Sequence, residues 1–183
     1  MKIAATELLD ALVELTRQHL SFIQRLQTLP DQKLTQKPNA NSWSALECVE
    51  HLNRYGNFYL PEIRKRIQTS KTDAAPIFKS GWLGNYFANS MLPKEKLNKM
   101  KTFTSMNPLN SKLDKTTIDT FIKQLQTMLD LLQQCRNVNL STVRTSISIS
   151  SFIKLKLGDT LRVVIYHNER HIKQMERAVG LSR

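Results

Sequence analysis

The chain has 183 residues, enough for one domain with a substantial core, and its 40% hydrophobic and 7% aromatic content excludes a disordered chain. Lys and Arg outnumber Asp and Glu by 27 to 15, a net charge of +12. The positives are dispersed over residues 64–71 and 94–101 and along the last predicted helix, with no nucleic-acid-binding motif, so nucleic acid is not the expected partner.

The first twenty residues, MKIAATELLDALVELTRQHL, lack the apolar core and cleavage site of a signal peptide. No apolar run reaches membrane-spanning length, and no membrane partner is expected. Two cysteines, Cys48 and Cys135, make neither a disulfide framework nor a CxxC motif, which points to the cytoplasm.

Residues 1–29 read as a long amphipathic helix. Leu8, Leu12, Leu15, His19, Phe22 and Leu26 recur at alternating spacings of four and three, the seam of a helix bundle. His19 sits in that seam, either as a structural residue or close to a metal site. Pro30 closes the helix, and residues 31–41 form a polar connection. The second helix opens in NSWS and runs through WSALECVEHLNRYGNFYLPEIRKRI, with Ser44 and Glu47 at capping-box spacing. Glu47, Cys48, His51, Tyr55 and Phe58 share one side of it, while Gly56 and Pro61 weaken or kink it.

Residues 70–108 form a long excursion, punctuated by Pro and Gly and carrying Phe78, Trp82, Tyr86 and Phe87. That much aromatic area predicts short packed helical pieces, and a connection this long suits a pocket wall or lid. A third helix is predicted over residues 111–136, with Leu113, Phe121, Leu125, Met128, Leu129 and Leu132 inward. Residues 137–156 (STVRTSISIS within them) have strand-like composition but no assignable partner, and read as an extended crossover. The last helix is expected to start after Gly158, with Asp159 as N-cap, and to stop at Gly180. Four long helices with long connections describe an all-α four-helix bundle.

The chemistry concentrates in YHNERHIKQMER, residues 166–177. His167 and His171 are four residues apart, so on a helix both imidazoles leave one face, one turn apart, able to grip a single metal ion. Val164, Gln174 and Ala178 complete that stripe. His51 is the best third ligand, giving three nitrogens with an open coordination position. Spacing does not by itself bring the second and last helices together, and three hydrogen-bonded histidines without metal is the alternative.

The motifs NSWSALECVEHL and HNERHIKQMER resemble the Trp-Ser…His-Leu and His-x-x-Arg-His-x-x-Gln elements of the DinB/YfiT superfamily. The segment from KMKTFTSMNP to KLKLGDTL is similar to its DinB-like branch. The resemblance touches nearly the whole chain and implies one DinB-like domain over residues 1–183. It implies a four-helix bundle in up-down-down-up order, with a long insertion between helices 2 and 3. It further implies a divalent metal, nickel or zinc, on His51, His167 and His171, and a homodimer. The activity implied is that of a metal-dependent hydrolase acting on a small molecule, with an S-transferase using a low-molecular-weight thiol, or a non-catalytic metal-binding stress protein, as alternatives.

A hydrolase also wants a base. Glu169 lies two residues from each helical histidine, roughly 160–200° around the helix, so this is not a zincin. Glu47, one turn before His51, is the candidate base, with capping-box duty as its other reading. Arg170 and Gln174 flank the histidine pair and could orient an anionic substrate or a ligand imidazole, or serve as surface or inter-helix contacts. Tyr55 and Tyr166 could donate to a substrate oxygen or simply pack. Cys48 reads as a small buried thiol that could also approach the metal.

Overall fold

The computed structural model describes residues 1–93 and 102–181. The lysine cluster at 94–101, and with it the start of KMKTFTSMNP, lies outside the described residues. The fold is mostly helical.

The first helix, α1, spans Ala5–Gln27 rather than beginning at residue 1. Before it, strand β1 (Lys2–Ala4) pairs antiparallel with β2 (Ile77–Lys79), Ile3 facing Phe78. Leu8, Leu12, His19, Phe22 and Leu26 are buried as the seam predicts, with Leu15 half-buried. The connection after Pro30 holds a short helix, α2 (Asp31–Thr35), which buries Leu34. Helix α3 (Ala45–Gln68) starts in the expected capping box, Ser44 Oγ accepting from the Glu47 N–H while the Glu47 carboxylate accepts from the Ser44 N–H. It continues through Gly56 and Pro61. The Gln124 amide lies over Gly56, where any Cβ would meet it, and donates to the Asn53 carbonyl and Asn57 Oδ1.

The aromatic excursion folds into α4 (Trp82–Met91), as its composition predicts. Helix α5 covers Thr116–Gln134 and α6 covers Leu157–Val179. Both α1 and α3 pack against α5 and α6, so each long helix buries its apolar stripe on two neighbours. One end of the core gathers Leu9, Ile63, Leu131 and Leu161, the other Phe22, Leu46, Phe121 and Met175.

Two expectations are corrected. Residues 137–156 are not simply an extended crossover. Strand β3 (Arg144–Ile147) pairs antiparallel with β4 (Ser150–Lys156), so the missing partner lies within the same segment. Alternation decides the pairing, with Thr145, Ile147 and Leu155 inward and Arg144, Phe152 and Lys154 outward. Nor is Asp159 the N-cap of α6. That helix starts at Leu157, after an extended Lys156 that gives no side-chain cap. Asp159 is fully buried and accepts instead from the Gly81 N–H at 2.7 Å and from the Ser80 hydroxyl, capping α4. Gly84 is required by this contact, since a Cβ there would stand 2.4 Å from the carboxylate. The other end of α6 stops as expected, Gly180 adopting the left-handed conformation at φ 65°. No helix among the described residues is long and apolar enough to cross a membrane.

Candidate metal centre

Packing of α3 against α6 supplies what spacing could not. His51, from the second turn of α3, meets His167 and His171, from successive turns of α6. The His167 Nε2 lies 3.2 Å from His51 Nε2 and 3.1 Å from His171 Nε2. One nitrogen from each ring lies within 4.8 Å of the others, so the set could hold a metal ion.

The opposite nitrogens explain why the Nε2 atoms turn inward. His51 Nδ1–H donates to the Met106 carbonyl at 2.7 Å, and His171 Nδ1–H donates to Gln174 Oε1 at 3.1 Å. Each bond fixes the tautomer whose Nε2 is a bare lone pair. One Nε2–H on His167 can satisfy only one neighbour, so lone pairs crowd without protons to share. A tetrahedral ion with metal–nitrogen bonds of about 2.0–2.1 Å holds its nitrogens roughly 3.3 Å apart, close to the spacing of His167 from each of its two neighbours. The donor set fits a divalent cation.

Electrostatics agrees. Burial lowers the His51 pKa to about 4, with the nearby Arg54 charge adding to the effect and the Met106 carbonyl opposing it. Burial holds His167 and His171 well below the usual imidazole range, and the neighbouring rings and Arg170 push the same way. All three rings are therefore neutral at pH 7, the form that ligates metal. Aromatic neighbours shape the site. Trp43 stacks at 5.7 Å on His171, and Tyr55 stands edge-on to both His51 and His167.

Of the two residues flanking the histidine pair, Gln174 is the one that orients an imidazole, accepting from His171 Nδ1–H. Arg170 is buried on the wall of the site's cavity, and burial lowers its pKa. Glu47 is fully engaged away from the cavity: beyond the capping box, it receives the Asn110 N–H at 2.6 Å and pairs with Lys37 at 2.8 Å. Burial raises its pKa, but these bonds outweigh that and hold it below the usual carboxylate value. Glu169 points away from the histidines, as the helical angle requires, and meets buried His19 at 2.9 Å. Tyr166 packs against the Arg162 guanidinium. The Cys48 thiol is buried among apolar side chains, and burial raises its pKa far above the usual thiol range.

Two participants escaped sequence reasoning. The Met106 carbonyl is one, since a backbone acceptor leaves no mark in a side-chain pattern. The other is Arg54, one turn after His51, which donates to the Ser105 and Asn107 carbonyls at 3.3 and 2.9 Å and so pins the loop that presents Met106. Its position on the ligand's own helix was the available signal.

A cavity of about 860 Å³ opens over the three rings. Its walls are mainly apolar and aromatic, including Tyr59, Phe87, Phe103 and Val163, with Arg170 and Arg177 as its cations. Among its described lining residues there is no carboxylate.

Fold and site together define a mostly helical protein with a buried three-histidine set able to take a metal. The chain belongs to the DinB superfamily, whose family model matches residues 12–175. No curated protein and no solved structure matches it.

Proposed function

We propose that His51, His167 and His171 bind one divalent cation, nickel or zinc, and that the protein acts on a small substrate admitted to the cavity above them. The carrying observation is the convergence of three Nε2 atoms from two helices, two of them aimed by Nδ1 hydrogen bonds to carbonyl acceptors. A cation held there supplies Lewis acidity, able to activate a water for hydrolysis. The chain's own groups bind and position. The apolar walls exclude water, Arg170 and Arg177 offer charge to an anionic part of the substrate, and the Tyr55 hydroxyl is a donor beside the rings. Glu47 is given no role as a base, because both its oxygens are already engaged. In this reading the four long helices form a DinB-type bundle in up-down-down-up order, with α4 and its flanks as the insertion.

Hydrolysis is the first reading. Transfer of a low-molecular-weight thiol to an electrophile is the second, favoured by one observation: the described cavity wall offers two arginines and no carboxylate base. An acidic thiol suits that charge, and a cation held by the three histidines would lower a thiol's pKa enough for its proton to pass to solvent water without a protein base.

Elemental mass spectrometry of the untagged protein, beside His51→Ala and His167→Ala, tests the metal. About one nickel or zinc per chain, lost in both variants, is expected. No metal after reconstitution would overturn the proposal. With metal present, turnover of small esters and amides without thiol supports hydrolysis, and consumption of an epoxide only when a thiol is added supports transfer.

A further inference from the structure

The face carrying α4 and the β3–β4 hairpin is unusual for a protein surface. Trp82 and Tyr86, four residues apart and hence on one side of α4, are 85% and 64% exposed. Phe152 on β4 is 95% exposed, and Ile149 at the hairpin turn is also open to solvent. These belong to elements in contact, joined by Ala88, Phe87 and Met91 of α4 packing on Ile147 and Leu155 of the hairpin. A large exposed aromatic costs free energy in water, so three of them on two adjoining elements call for a partner.

Charge says which partner. Residues 74–93 and 140–158, the segments that include α4 and the hairpin, contain no Asp or Glu, but do contain Lys79, Arg144, Lys154 and Lys156. Lys79, Arg144 and Lys154 are exposed. Glu62, which reaches the hairpin from α3, is neutralised by Arg66 at 2.9 Å. A second copy docking here would set cation against cation in a chain already at +12. An outward hairpin face with Phe152 among Arg144 and Lys154, beside an uncharged α4 that exposes Trp82 and Tyr86, complements a surface that is anionic outside and apolar within.

We propose that this face docks peripherally on anionic lipid bilayers, its aromatic side chains entering the headgroup region and its lysines and arginine meeting lipid phosphates. Sequence reasoning expected no membrane partner because it sought a spanning segment, and none is needed here. The cavity's Phe103 and Ile149 are themselves exposed, so its mouth shares the apolar character of the docking face. The proposal is independent of the metal.

Co-sedimentation with phosphatidylglycerol-containing vesicles and with pure phosphatidylcholine vesicles, at about 0.15 M salt, is the test. Binding is expected to the first only. It should weaken at least tenfold in Trp82→Ser/Tyr86→Ser, independently in Phe152→Ser, and about fivefold for each of Lys79→Glu and Lys154→Glu. All these side chains are exposed, so melting temperatures should stay near that of the parent. His51→Ala should bind vesicles like the parent, separating failure here from failure of the metal reading. No binding to anionic vesicles would overturn the proposal, as would binding that ignores the aromatic substitutions. A concentration-dependent dimer in sedimentation that Trp82→Ser/Tyr86→Ser and Phe152→Ser dissociate would also overturn it, naming a second copy as the occupant.

Discussion

A hydrogen bond at the other nitrogen orients an imidazole and raises its basicity as a ligand, and Gln174 accepts that bond from His171 across 3.1 Å. Replacing it with Leu keeps the helix and much of the volume but frees the ring to rotate and change tautomer. Metal affinity of Gln174→Leu should fall about 10–100-fold, read by competition with a chromophoric chelator, while the fold survives. Glu47 tests a different logic. Its carboxylate is buried, and the Lys37, Ser44 and Asn110 bonds hold its pKa below 4.5 despite that burial. A depressed folded pKa stabilises the protein above the unfolded value, and the gain is lost as pH falls through the folded one. Glu47→Gln should therefore cost about 1–3 kcal/mol at pH 7, and its denaturation free energy should approach the parent's in acid. A gap that stays constant with pH would mean Glu47 contributes by packing alone.

At the scale of elements, a buried polar knot fastens α4 to α6 beside the apolar packing of Ala88. Arg162 bonds Asp159 at 3.3 Å, Ser80 at 3.2 Å, Asn85 at 3.1 Å and Asn89 at 3.2 Å, while Asp159 holds the first turn of α4. Removing one member leaves the other's charge buried and uncompensated, which costs about 3–5 kcal/mol. Asp159→Ala should lose that much in chemical denaturation, and amide exchange should accelerate first over residues 82–91, the element supplying Phe87 and Met91 to the cavity wall. Uniform acceleration across all helices would show that the knot holds the whole fold rather than α4. The same knot shows where sequence reading runs out. The i, i+4 histidines, the seam of α1 and the capping box were legible because each depends on residues a few positions apart on one helix. Asp159 also looked local, a polar residue at a helix start, but its partners are almost eighty residues away. The β3–β4 pairing was hidden because Ser- and Thr-rich strands show little hydrophobic contrast, and the Met106 carbonyl because backbone atoms carry no sequence identity.

For the molecule as a whole, three neutral histidines at the junction of α3 and α6 make stability depend on metal and pH together. In the metal-free protein burial holds the His51 pKa near 4, and those of His167 and His171 well below 6.5. The unfolded chain, with ordinary imidazoles, then binds more protons than the folded one as pH drops below 6.5. The sign follows: acid favours unfolding, and the penalty builds until the folded pKa is reached. His51 alone contributes about 3 kcal/mol of lost stability by pH 4, and the α6 pair adds in the same direction. Divalent metal opposes this, since only the folded protein assembles the three-nitrogen set. At a hundredfold excess over its dissociation constant it adds about 2.7 kcal/mol. Denaturation of chelator-treated protein at pH 7 and pH 4.5 should show a clear loss at the lower pH. Adding zinc should stabilise the protein at pH 7 and do progressively less in acid, where protons compete for the same nitrogens. In His51→Ala/His171→Ala both the zinc effect and most of the acid sensitivity between pH 6.5 and 4.5 should disappear together. Retention of the acid sensitivity would place its origin in other titrating groups, with the buried His19–Glu169 contact between α1 and α6 the next to replace.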